Sequence, residues 1–116
     1  KKASIRTKVL LETDFPDAQT SAGKVVEISF KPDLDKTSGN YLHFIARSDS
    51  AGFVTIKYGN GDLSTIRFEL KSSGKPEQYL VRISSQEAWM HEKISAIEVS
   101  PSVPVWFEKF FIRKGD

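Results

Sequence analysis

Apolar and polar positions alternate with a period of two through most of the chain, which puts successive side chains on opposite sides of an extended backbone. Val26, Ile28 and Phe30 take one side of the stretch Val25 to Lys31, and Glu27, Ser29 and Lys31 the other. Tyr41 to Arg47 sets Leu42, Phe44 and Ala46 against Tyr41, His43, Ile45 and Arg47. Phe53 to Tyr58 groups Val54, Ile56 and Tyr58, and Thr65 to Lys71 groups Ile66, Phe68 and Leu70. Gln78 to Ser84 sets Tyr79, Val81 and Ile83 against Leu80, Arg82 and Ser84. Ser4 to Glu12, with Val9 and Leu11 on one side, Ser95 to Ser100 and Val105 to Lys114 complete eight predicted strands. One wet face and one dry face per strand is the pattern of antiparallel sheets.

Clusters of turn-forming residues separate these runs. They are Asp35 to Asn40, Ser48 to Gly52, Gly59-Asn60-Gly61-Asp62 and Ser72 to Pro76. Their glycines and asparagines tolerate positive φ, and Asn60-Gly61 is a strong hairpin signal. Short strands punctuated this often predict an all-β, two-sheet antiparallel β-sandwich over residues 1–116, with no linker dividing it.

Two places break the alternation. Ser84 and Glu87 have the spacing of a capping box, which predicts a short helical turn over residues 85–91. In the last strand Val105 and Phe107 share one parity while Phe110 and Ile112 share the other. A bulge near Glu108-Lys109 would return all four to the core; the alternative is a strand covered on both sides.

Composition narrows the function classes. A hydrophobic fraction of 39% beside a charged fraction of 28% is that of a folded globular domain. A net charge of +2, from interleaved acids and bases, gives no basic patch for nucleic acid. The chain has no cysteine, which removes disulfides and thiolate chemistry. No apolar run approaches the ~20 residues of a membrane helix, so no membrane insertion is expected. The chain opens at Lys1 without a methionine and reads as a processed chain or an excised module of a longer protein.

Catalytic constellations are thin. His43 and His91 have no Gly-x-Ser-x-Gly elbow to serve. They also lack the further histidine or cysteine a transition-metal site needs. Gly59-x-Gly61 leads into a strand rather than a helix, so it reads as a turn and not a phosphate loop. A carboxylate pair for glycoside hydrolysis needs a deep cleft that a sandwich this small rarely holds. The chain is therefore expected to be no enzyme and to need no cofactor. The acidic segment Glu12-Thr13-Asp14-Phe15-Pro16-Asp17, with Glu108, is a hard-oxygen cluster that a structural calcium ion could use; a solvated loop is the simpler reading.

Aromatic residues carry the remaining lead, because a flat ring can lie against the C–H face of a sugar while polar forks pair its hydroxyls. Trp106 has outward parity, Trp89 lies in the predicted turn, and Tyr41 and Tyr58 sit on strands, Tyr58 with core parity. The outward set His43, Arg47, Arg67, Glu69, Arg82 and Ser84 would line a polar sheet face.

Tyr79-Leu80-Val81-Arg82-Ile83, then Trp89, Ile94, Ile97, Val99 and Pro101, then Val105 to Ile112, resembles the closing strands of galactose-binding-like jelly rolls, whose best-known members are carbohydrate-binding modules. The resemblance spans residues 40–114 and includes an acid where Glu108 stands. It implies a two-sheet jelly roll, often with a structural calcium ion, and a glycan site on a sheet face or in the loops at one end. Trp89 stands where such domains often place a core plug. The expected function is a non-catalytic carbohydrate-binding module using Trp106, Trp89, Tyr41, Arg47, Arg67 and Arg82. The alternative is a structural or docking module packed against another domain of the same chain. An extracellular or cell-surface setting suits either.

Overall fold

A computed structural model describes residues 7–15, 19–29, 40–58, 65–86, 89 and 96–115 of the 116. Among them are eight strands: β1 (Thr7–Asp14), β2 (Val26–Ser29), β3 (Asn40–Arg47), β4 (Phe53–Lys57), β5 (Thr65–Glu69), β6 (Glu77–Val81), β7 (Ala96–Pro101) and β8 (Trp106–Gly115). They form two four-stranded sheets, ordered β1-β8-β3-β6 and β2-β7-β4-β5, and every pairing is antiparallel. The pairs β4-β5, β3-β6, β2-β7 and β1-β8 nest inside one another, as if one long hairpin had been wrapped into two layers. That is a jelly-roll order.

The core lies where alternation predicts. Leu42, Phe44 and Ala46 of β3 meet Val54 and Ile56 of β4, with Tyr58, Ile97, Val99 and Ile112, all buried. Phe44 is the hub between layers. It stands edge-on to Phe68 at 5.0 Å and stacks on Tyr79 at 4.9 Å. The Tyr79 hydroxyl accepts from the Lys71 N–H at 2.8 Å, so its polar tip is satisfied at the rim.

The bulge in β8 is present. Ile45 pairs with Lys109 and Ala46 with Phe107, leaving Glu108 as the extra residue. Val105, Phe107, Phe110 and Ile112 are consequently all buried. Phe111, on the opposite side, is only 8% exposed, so the strand is also covered outside at that point. A second irregularity overturns one expectation. Val9 pairs with Arg113 and Leu11 with Ile112, so Leu10 is extra, the two residues read on one side are put out of register, and Val9 is turned outward, 39% exposed. Three consecutive apolar residues, Val9-Leu10-Leu11, hide such a shift from a pattern reading.

A 3₁₀ turn lies at Ile83–Ser85, and of the turn predicted over residues 85–91 only residues 85, 86 and 89 are described, with Trp89 helical. The first residue of the 3₁₀ turn is preceded by Arg82, with no side-chain cap, and the Ser84 hydroxyl donates to the Asn40 carbonyl at 3.3 Å. Buried Ile83 draws this segment inward and fixes where the turn begins. Glu87, His91, Phe30 and the Asn60-Gly61 turn lie outside the described residues.

Loops β3-β4, β5-β6 and β7-β8 gather at one end of the sandwich and are sewn together. Gly74 N–H donates to the Ser48 carbonyl, Leu70 N–H to that of Gly52, and Phe53 N–H to the Ser102 hydroxyl. A Cβ on Gly52 would stand 2.8 Å from Ser102 Oγ and from a Val103 methyl, so the close loop approach needs glycine there. At the other end Trp89 is the plug. It is 0% exposed, edge-on to Tyr58 at 5.9 Å, and its indole N–H donates to Asn40 Oδ1 at 3.0 Å. Burying a ring of that size removes roughly 200 Å² from water, about 5 kcal/mol of transfer free energy. Asn40 spares the N–H the cost of going unpaired.

Candidate functional site

The register of β1, β8, β3 and β6 places outward side chains in rows across one outer face. At one end Arg47 pairs with Trp106. Next come Asp14, Lys109, Ile45 and Gln78, then Glu12, Phe111, His43 and Leu80, then Val9, Arg113 and Tyr41. Tyr41 and Arg47 are six residues apart on β3, so the face is about 20 Å long.

Its two ends are built alike. The Arg47 guanidinium lies over the Trp106 ring, 4.0 Å from the centroid, and both residues are half-buried. The Arg113 guanidinium lies over Phe111 at 4.5 Å. Such stacks hold the planar cation flat and leave its N–H edge facing outward.

Between them runs a polar chain. Arg113 Nε–H donates to His43 Nδ1 at 3.3 Å, so the proton of the neutral ring sits on Nε2, which donates to Gln78 Oε1 at 2.9 Å. The imidazole also stacks on Phe111 at 5.1 Å. Burial lowers the His43 pKa, the Gln78 hydrogen bond partly offsets this, and the Arg113 charge lowers it further. The ring is therefore neutral at pH 7 with both nitrogens engaged, which leaves it no free lone pair for general-base work.

On the β1 side, Lys109 reaches Glu12 at 2.8 Å and Asp14 at 3.5 Å. The hydrogen bond to Glu12 and the charge of Asp14 hold the ammonium pKa above its ordinary value. These are the first two acids of the segment considered for calcium, and here the protein's own cation sits between them. Glu108 is exposed in the bulge, and Asp17 lies outside the described residues. Among the described residues no three acids, histidines or cysteines gather as metal ligands.

The outer face of β2-β7-β4-β5 is different. Glu27 and Glu98 are cross-strand neighbours beside Lys57, and the other outward residues include Ser29, Thr55, Thr65 and Ser100. Arg67 lies over the Phe53 ring at 3.7 Å and is bonded through Nε to Glu69 Oε2 at 3.3 Å.

The predicted site residues therefore separate. Trp106, Arg47 and Tyr41 do share a face. Arg82 follows β6 at the Tyr41 end, exposed. Arg67 and Glu69 are on the opposite side of the sandwich and cannot share a ligand with them; parity says outward, but each sheet has its own outside. Trp89 cannot present a ring to a ligand because the core encloses it. Ser84 is turned to Asn40. Phe111, Arg113 and Gln78 were not singled out from sequence. The outward parity of Phe111 beyond the bulge is the available signal.

Among the described residues no helix is long and apolar enough to cross a membrane. No family model matches the chain, and no curated protein matches it. A solved structure described as "Bacillus endospore appendages form a novel family of disulfide-linked pili" aligns with 99% of this chain and 91% of its own. The identity is 16% and the TM-score 0.39, a likeness that carries no argument.

Proposed function

We propose that this chain is a non-catalytic binding module that takes a carbohydrate on the outer face of β1-β8-β3-β6. The observation that carries the reading is Trp106, an outward indole on a rigid strand with the Arg47 donor fork fixed beside it. A sugar needs that combination, an apolar ring for its C–H face and oriented donors for its oxygens. Tyr41, at the other end of β3 from Arg47, supplies a second ring for an extended oligosaccharide. The jelly-roll strand order suits the galactose-binding-like resemblance of residues 40–114, and kinship with carbohydrate-binding modules is part of this proposal. Affinity is expected to be weak, since an open sheet face desolvates little of a sugar.

The test is a broad glycan array followed by titration of tryptophan fluorescence. Trp89 is enclosed, so a ligand-dependent change reports on Trp106. Binding that disappears in Trp106→Ala, with the circular dichroism spectrum intact, is the expected result. An array silent throughout would sink the reading.

One observation favours a second reading, a docking module. Leu80 is 49% exposed beside His43 on one edge strand of this sheet, and Val9 is 39% exposed on the other edge strand. Aliphatic side chains suit a protein surface better than a sugar, and Trp and Arg are common interface anchors. Protection of Trp106 from oxidation when a partner domain is present, and not in this domain alone, would select this alternative.

A further inference from the structure

Among the described residues three arginines lie on aromatic rings, and they differ in what meets their outward edge. Arg67, on Phe53, has a carboxylate built in beside it at Glu69. Arg113, on Phe111, gives its Nε–H to His43. Arg47, on Trp106, has no carboxylate partner among the described residues. The acids near it do not supply one. Glu77 is taken by the Ser73 hydroxyl at 2.7 Å and by Lys71, while Glu12 and Asp14 are taken by Lys109. Asp49 and Glu108, also at this end, make no ion pair with it. A guanidinium held flat by an indole, with its edge unclaimed, is preorganised for two parallel hydrogen bonds to a planar anion. Little side-chain entropy remains to be lost when such an anion binds.

We infer that the ligand of this face is an anionic glycan, whose carboxylate or sulfate group is received by Arg47 while its sugar ring lies along Trp106. The inference rests on the reading of the face as a sugar site and narrows it to acidic polymers.

Three polymers on one backbone separate charge from sugar: dextran, carboxymethyl-dextran and dextran sulfate, titrated calorimetrically and by tryptophan fluorescence. Either charged form, or both, is expected to bind about tenfold or more tighter than dextran. That advantage should shrink between low salt and about 0.3 M NaCl. Which charged form wins tells carboxylate from sulfate. Arg47→Lys keeps the charge and loses the planar fork, so it should weaken the charged polymers about tenfold with the spectrum unchanged. Arg67→Lys, on the opposite face, should leave them unaffected. Equal binding of charged and uncharged glycans, or charged-polymer binding indifferent to Arg47→Lys, overturns the anion inference and leaves the sugar reading standing. Silence of these polymers and of the glycan array removes both.

Discussion

The two outer faces of the sandwich are made from the same kind of strand, yet one is closed and the other open. On β2-β7-β4-β5 the outward residues are mostly short and polar, and Arg67 on its ring is already answered by Glu69. On β1-β8-β3-β6 the outward residues include Trp106, Phe111, Tyr41, Ile45 and Leu80, and Arg47 is stacked with its fork unclaimed among the described residues. A cation on an aromatic ring is thus no mark of a binding site by itself. What distinguishes the faces is whether the partner charge is supplied from within.

The largest test of that contrast is in the rings themselves. Phe111 is almost enclosed on its face by His43 and Arg113, so Phe111→Ala should cost about 3 kcal/mol in denaturant unfolding. Phe53→Ala, removing a half-buried ring from the other face, should cost about 1 kcal/mol. Equal losses would mean that the faces are not built differently.

A pH series gives a smaller effect confined to the open face. His43 takes up its proton at lower pH in the folded chain than in the unfolded one, because burial and Arg113 disfavour the imidazolium. Below pH 6.5, the ordinary histidine value, the unfolded chain therefore binds more protons. The His43 contribution is present above that pH and is lost as pH falls through the lowered folded value. His43→Gln should flatten the dependence of the unfolding midpoint below pH 6.5. An unchanged slope would show that burial and the Arg113 charge do not hold the His43 pKa below its ordinary value.

The smallest effect is the Arg67–Glu69 coupling. Both side chains are well exposed, so a double-mutant cycle should return about 0.2–1 kcal/mol, falling with salt. The same cycle between Arg47 and Glu77 should return nothing, since Glu77 is engaged by Ser73 and Lys71.

How much of this was legible depended on whether the deciding contact was local. The core positions of β3, β4 and β6 follow from alternation alone, which is set by each strand's own backbone. The Glu108 bulge was readable because Val105 and Phe107 conflict in parity with Phe110 and Ile112. The Leu10 bulge was not, because its neighbours are apolar on both sides. Trp89 reads as a turn residue by position and as a core plug only by resemblance, because Asn40, which receives its N–H, is far away in sequence. Arg47 and Arg67 look equivalent because parity tells inside from outside without telling which sheet. Only the strand order, made of pairings between distant segments, sends them to opposite faces.

The nesting of strand pairs also orders assembly in time. β4 and β5 are joined by a short connection, with Lys57 opposite Thr65, whereas β1 and β8 bring Thr7 to Gly115 across nearly the whole chain. Closing the inner loop first makes each outer closure a short step, and the reverse order forfeits the most chain entropy at once. The topology thus implies a slow folder that zips from its middle strands outward, as high contact order demands. The Lys109 contacts to Glu12 and Asp14 would then be the last to be made and the first to be undone.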